Sequence, residues 1–185
     1  MSFRFDTKKA VSVVLYLLNS LGGSADIFRL FSLLYLSDLR HIANYGSLIT
    51  GDTYMAMKSG PAPFHIHIII REACDEPNTL NAYIRPKLQA DHKTVTALAH
   101  HDSLLLSASE VECIFETIQK YKSLPADMLI KHTTDRAWRD ASITGDMDVA
   151  HMIEESGASP GMSDYVKMCY ADETASIYAV PQNRR

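Results

Sequence analysis

Residues 34–63 read LYLSDLRHIANYGSLITGDTYMAMKSGPAP, and this stretch decides the fold. It continues an apolar run, Ile27-Phe28-Arg29-Leu30-Phe31-Ser32-Leu33-Leu34-Tyr35-Leu36, that has almost no polar face. A helix apolar nearly all round is a central, buried one. The spacing therefore predicts such a helix from about Ala25 to Tyr45. Gly46 stops it, because glycine takes left-handed cap geometry at no steric cost. From Ile49 to Lys58 the helical period is lost, which predicts an extended piece with Gly51-Asp52 as a turn. Pro61 and Pro63 suit a helix start, not its interior. They predict a third helix from Phe64 to Ala73, ending near Asp75-Glu76-Pro77-Asn78.

On the N-terminal side, Val11, Val14, Leu15 and Leu18 fall at i, i+3, i+4 and i+7, one face of a first helix that Gly22-Gly23 ends. On the C-terminal side, Tyr83 to Leu88 and Thr94 to Leu98 read as two strands of a hairpin. Ser107-Ala108-Ser109-Glu110 has capping-box spacing, in which hydroxyl and carboxylate satisfy free N–H groups at a helix start. The fourth helix it opens runs to about Tyr121, with Val111, Ile114, Phe115 and Ile118 expected inward. A fifth helix is expected from Pro125, and a short sixth holds Ala137 and Trp138. Beyond it, Asp146 to Glu155 is expected to be helical. Ser159-Pro160 suits an N-cap and first helical residue, and Met162, Tyr165, Val166 and Cys169 make an apolar stripe on a last helix. Residues 181–185 are expected to fray.

These elements predict a mainly α (α+β) fold, a multi-helix domain with a small antiparallel sheet or hairpin over residues 1–142. Residues 143–185 are expected to form a helical extension, packed on that domain or used for partner contact.

Composition fits a folded chain. Of 185 residues, 46% are hydrophobic and 22% charged. No apolar run reaches the roughly 18 residues that span a bilayer, and residues 1–9 read as no signal peptide. Cys74, Cys113 and Cys169 are widely spaced and odd in number, which fits buried thiols in a reducing cytoplasm. Residues 1–100 hold 10 Lys/Arg and 8 Asp/Glu, and residues 101–185 hold 8 and 14, so net charge is +2 in the first part and −6 in the second. A protein that binds nucleic acid through the backbone needs a basic face, and none is visible. No nucleic-acid partner is expected on this ground. An acidic surface is either solvated or meets a basic partner.

Catalytic and metal chemistry leave no signature. No two histidines stand at i, i+3 or i+4, the spacing that places two ligands on one helix face. His65 and His67, two apart, diverge on a helix. C-x-x-C, G-x-S-x-G and phosphate-loop patterns are absent. No cofactor, metal or enzymatic activity is expected. Asp38 and His41 lie three apart and so share a helix face. They are either an acid–base pair or, the preferred reading, partners for the chain as it leaves Gly46 and returns through Asp52. His132 and Trp138 either bracket a groove, or Trp138 anchors the fifth and sixth helices to the core.

The 34–63 stretch resembles the Panacea, or SocA-like, antitoxin domain of bacteria and their phages, whose pattern reads LYLAD-x-x-H-x-x-x-YG-x-x-ITGD-x-Y-x-AMK-x-GPVP. Tyr35, Asp38, His41, Tyr45, Gly46, Thr50, Gly51, Asp52, Tyr54, Lys58, Gly60, Pro61 and Pro63 fall on it in register, with Ser37 for alanine and Ala62 for valine. Trp138 stands where the family's closing segment carries tryptophan. The likeness runs from about residue 10 to residue 142. It implies a cytoplasmic antitoxin that acts by binding a cognate protein toxin, either holding it inactive or delivering it to an ATP-dependent protease such as ClpXP. The motif is expected to be mostly structural. Met162, Tyr165, Cys169 and Tyr170 are the candidate partner-contact or homodimer residues. The rival reading is a winged-helix-like nucleic-acid-binding regulator, since three helices precede a hairpin that carries Arg85, Lys87 and Lys93.

Overall fold

The helix without a polar face lies at the centre. In the computed structural model, which describes residues 5–74, 82–141 and 145–178 (the side chains of 172–178 excepted), α2 spans Ile27–Tyr45. Twelve of its residues are buried, from Leu30 to Ile42. The helix starts two residues later than the expected Ala25. Ser24–Asp26 forms a short strand, β1, and the Asp26 carboxylate caps α2 by accepting from Phe28 and Arg29 N–H at 2.9 and 3.3 Å. Three residues are too few to show an alternating pattern, so β1 has no sequence signature. Gly46 ends α2 in the left-handed conformation, φ 75°, as its position suggests.

Before α2, α1 covers Thr7–Ser20. After it come β2 (Tyr54–Met57) and β3 (Gly60–Pro63), an antiparallel ribbon that pairs Tyr54 with Pro63 and Met57 with Gly60. This corrects the expectation that Gly60-Pro61-Ala62-Pro63 opens a helix. Proline has no N–H for a sheet ladder and is tolerated only at an edge. β3 is such an edge, because the other side of β2 is taken by residues 145–147: Ala56 N–H donates to Gly145 O at 2.7 Å and Met147 N–H to Tyr54 O at 2.8 Å. Helix α3 (Phe64–Cys74) begins directly after Pro63. Its expected end at 75–78 lies outside the described residues.

A second, three-stranded antiparallel sheet has the order β1-β5-β4, with β4 at Leu88–Ala90 and β5 at Thr94–Ala97. The hairpin is present, but its first strand is shorter than expected. Tyr83 to Lys87 turn instead, and Ile84 O accepts from both Lys87 and Leu88 N–H at 2.9 Å. After a 3-10 turn at Ser103–Leu105, α4 (Ala108–Tyr121) opens on the capping box the sequence announces. Its inward face is rotated from the expected one. Glu110, Cys113, Ile114, Thr117 and Ile118 are buried, whereas Phe115 is exposed.

Helices α5 (Ala126–Thr133), α6 (Arg136–Ala141), α7 (Val149–Glu155) and α8 (Pro160–Tyr178) complete eight among the described residues. Asp148 caps α7, and Asp146 forms a bridge with Met55 ahead of it. The fold is mainly helical with small antiparallel sheets. Its apolar interior has two parts. Helix α1 and the first half of α2 pack with α3, α4 and the three-stranded sheet. The second half of α2 packs with α6, α7 and α8 through Ile42, Ala137, Met152, Ile153 and Val166. Of the thiols, Cys113 is buried, Cys169 half-buried and Cys74 exposed, so the expected burial does not hold for Cys74. Residues 181–185 lie outside the described residues.

Candidate functional site

Asp38 and His41 leave α2 on the side that faces the chain after Gly46, and their bonds diverge. Asp38 is buried, and its two oxygens are both used. Ile49 N–H donates to Oδ1 at 2.6 Å and the Tyr54 hydroxyl to Oδ2 at 2.7 Å. Burial pushes the Asp38 carboxyl up to about 7, more than the bonds from Tyr54 and Ile49 pull it down. The His41 ring lies 2.7 Å from Ser47 O through Nδ1 and 3.3 Å from Ser109 Oγ through Nε2. Its imidazole is held below the ordinary value by burial. The two side chains clamp opposite ends of the 46–50 loop to α2 and α4, each through partners of its own.

The next motif residues hold the following turn. Gly51 has φ 67°, which only glycine adopts freely. Thr50 Oγ1 accepts from Asp52 N–H at 3.3 Å. The buried Asp52 carboxylate accepts from the backbone N–H groups of Thr53, His65 and Ile66 at 2.8, 3.0 and 2.9 Å, and His65 Nδ1 lies 2.8 Å from it. Asp52 therefore caps α3, which lacks an adjacent cap because Pro63 precedes it. His65 also stacks on Phe5, while His67 lies edge-on to Phe31, so the two histidines point apart as a helix requires.

The motif also ties α2 and β2 to the start of α6. The Tyr35 hydroxyl donates to Asp135 Oδ2 at 2.6 Å, and Asp135 Oδ1 accepts from Trp138 N–H at 3.0 Å. Burial and the Asp135 charge push the Tyr35 hydroxyl far up. Trp138 Nε1–H donates to Met57 O at 3.0 Å and packs in the second core, so it joins α6 to β2. Gly60, φ 118°, brings β3 so close to α5 that a Cβ there would lie 3.2 Å from Thr133 Oγ1. Pro61 and Pro63 are buried in β3. Lys58 differs: it is exposed at the β2–β3 turn and makes no hydrogen bond or ion pair among the described residues.

The α8 residues divide. Met162 and Tyr170 pack against the second core beside buried Val166, and Cys169 is half-buried. Tyr165 faces out, as does Met168 one turn on. Helix α8 runs against Gly46, where a Cβ would lie 3.1 Å from both Met162 Sδ and Val166 Cγ2.

A polar cleft of about 460 Å³ lies between α2, α4, α5 and α7. Arg40, Lys120, His132, Asp135 and Glu155 are among its walls. His132 packs edge-on to Tyr121 there, and Trp138 is not a wall residue, so the two do not bracket this cleft. Arg40 is paired with Glu116 and Asp135 is bonded as above. The hairpin cations are also engaged in part. Lys87 Nζ donates to Tyr83 O at 3.1 Å and sits 3.7 Å over the Tyr83 ring.

Sequence reasoning missed Asp135 and Ser109, the partners of Tyr35 and His41. Asp135 carried a signal, since it stands three residues before Trp138 at the start of a helix, the spacing of an N-cap bond. Ser109 carried none: its contact with His41 is purely tertiary.

A family model described as antitoxin SocA-like, Panacea domain, matches residues 30–139. No curated protein and no solved structure matches the chain.

Proposed function

Because the chain belongs to the SocA-like Panacea antitoxin family, we propose that it neutralises a cognate protein toxin by direct, stoichiometric binding in the cytoplasm, with no bond-making of its own. The divergence of Asp38 and His41 carries this reading. The one motif pair with the spacing for acid–base work is spent on Ile49, Tyr54, Ser47 and Ser109. The fold also leaves apolar side chains exposed at its surface. Tyr165 and Met168 on α8 stand exposed beside residues that pack inward, and such apolar side chains suit an interface. A stable pair of this kind buries roughly 1,200–2,000 Å² in total.

Co-expression with the product of the neighbouring reading frame tests the proposal. A product that is toxic alone, harmless with this chain and co-purified with it at equal stoichiometry is the expected result. Protection that disappears in a host lacking its ATP-dependent proteases would show delivery to a protease instead. Toxicity that persists with the chain present would end the antitoxin reading.

The nucleic-acid reading keeps one supporting observation, the completion of the β4–β5 hairpin into a three-stranded sheet by β1 beside α1–α3. Against it, Lys87 is tied to Tyr83. A gel shift with the chain's own promoter decides: phosphate binding by a few cations falls steeply with salt, by about 0.9 log units per contact per tenfold increase.

A further inference from the structure

An apolar cleft of about 190 Å³ opens between the start of α2, the β2–β3 turn and α3. Ile27, Phe28, Phe31, Met57, Pro61 and His67 are among the residues that line it. Phe28 and Met57 are 51% and 41% exposed. Single apolar side chains on a surface need no explanation, but several gathered around a concavity mark a place that another molecule covers.

Among the described residues, three exposed cations and two carboxylates stand beside its walls. Lys58 stands on the turn between Met57 and Ser59, both wall residues. Arg71 lies one helical turn beyond His67, near enough that its charge, after burial, helps hold the His67 imidazole below its ordinary value. Lys93 follows the wall residue His92, and its carbonyl accepts from Ile27 N–H at 2.9 Å. All three cations are exposed, and none forms an ion pair among the described residues. The carboxylates beside the walls already have partners. Asp26 accepts from the first N–H groups of α2, and Asp91 accepts from Lys93 and Thr94 N–H at 2.7 and 2.8 Å. Arg29 is turned away, with its guanidinium on Lys122 O and Leu124 O.

We infer that this cleft is the docking site for a segment of the partner protein that inserts one apolar side chain, with acidic residues on either side of it. The inference rests on the proposed binding role and names the chemistry of one surface, apart from α8, that this role uses. Apolar walls take up the anchor, and the exposed cations Lys58, Arg71 and Lys93 select its acidic flanks and speed encounter. Nucleic acid would meet the same cations, but its phosphates have no use for walls of Phe28, Phe31, Met57 and Pro61.

The test is an NMR titration of the ¹⁵N-labelled full chain with a short synthetic peptide that carries phenylalanine between acidic residues. Two further peptides replace the phenylalanine by serine or the acidic residues by lysine, and a short DNA duplex is the last probe. The expected result is a set of amide shifts centred on Phe28, Met57 and His67, with about tenfold weaker binding when the anchor is lost. Lys58→Glu and Met57→Glu should each weaken the acidic peptide several-fold, and the exposed Lys58 position makes unfolding no explanation there. Shifts that are absent, that centre on α8, or that DNA or a second copy of the chain reproduces would overturn the inference. The cellular assay separates the two claims. If the natural chain protects against its toxic neighbour and both Glu variants protect equally well, the cleft is refuted and the antitoxin role stands. If the natural chain does not protect, that role fails, and the peptide titration still decides the cleft.

Discussion

Asp52 and Ile66 are joined across fourteen residues: the Asp52 Oδ2 accepts the Ile66 N–H at 2.9 Å. A helix normally takes its cap from the residue just before it. Here that residue is Pro63, held in an edge strand, so the cap is supplied by a distant turn whose position depends on Gly51. The Thr-Gly-Asp of the motif is thus a device for starting α3 against a β-ribbon.

Asp52→Ala should therefore cost more than an exposed cap. An ordinary N-cap is worth about 1 kcal/mol, but a buried carboxylate that serves three backbone N–H groups leaves all of them unpaired when removed. We expect about 2–3 kcal/mol, which for a chain of this size lowers Tm by roughly 4–12 °C. Asp52→Asn keeps one acceptor and should lose less. Thermal melts of the two variants check the order, and equal melting of the Ala variant and the natural chain would show that the cap carries no stability.

Asp38 makes stability fall as pH rises. Its carboxyl is pushed up to about 7 by burial, against about 3.9 in an unfolded chain. Between those values the folded state holds the proton that the unfolded state has released. Each unit gained in pH across this window then weakens folding by up to about 1.4 kcal/mol from this group, while below the window and above it the contribution is flat. Asp38→Asn removes the titration and can still accept from Ile49 and donate to the Tyr54 oxygen. Urea midpoints from pH 4 to pH 8 should show the variant gaining on the natural chain toward neutral pH. Parallel curves for the two proteins would contradict the raised carboxyl.

What could be read in the sequence was whatever has a local cause. The α2 centre, the Gly46 stop, the Ser107–Glu110 capping box and the Ser159-Pro160 start of α8 each follow from a few adjacent residues. The β1 strand and the β3 edge did not. Ser24–Asp26 is extended because β5 pairs with it, and Gly60–Pro63 because β2 does. Among site residues, the need of Asp38 and His41 for partners is legible, because a polar group near the end of a buried helix must find one, and both bond the 46–50 loop. The partners themselves, Ser109 and Asp135, lie 68 and 100 residues from His41 and Tyr35, beyond any spacing rule.

The rotated face of α4 gives a paired test. An apolar count centres the face on Val111 and includes Phe115. The structure centres it on Glu110 and Thr117, polar residues that such a count omits. Glu110 is buried because it closes the capping box and pairs with Lys9. Ile114→Ala, in the core, should cost about 2–5 kcal/mol. Phe115→Ala, half exposed, should change stability by about 0.5 kcal/mol or less. Chemical denaturation of both variants measures the difference, and a larger loss at Phe115 than at Ile114 would mean that α4 faces the other way.

Gly46 tests how α8 is held. Alanine at a left-handed position costs about 1–2 kcal/mol for backbone strain alone, and Gly22, φ 93° with nothing within 4 Å of its absent side chain, provides that baseline. At Gly46 the added methyl meets Met162 Sδ and Val166 Cγ2 at 3.1 Å, so these α8 side chains must give by a few tenths of an ångström. Gly46→Ala should lose about 1 kcal/mol or more beyond Gly22→Ala, in line with overpacking of a filled site. Met162 is the flexible neighbour, so Met162→Ala combined with Gly46→Ala should recover part of that excess, while buried Val166 should not yield. Hydrogen exchange gives the second readout. The amides of 160–171 should exchange faster in Gly46→Ala and stay unchanged in Gly22→Ala. If both variants lose the same stability and α8 exchanges no faster, then α8 does not rest on the Gly46 turn, and the second core ends at α7.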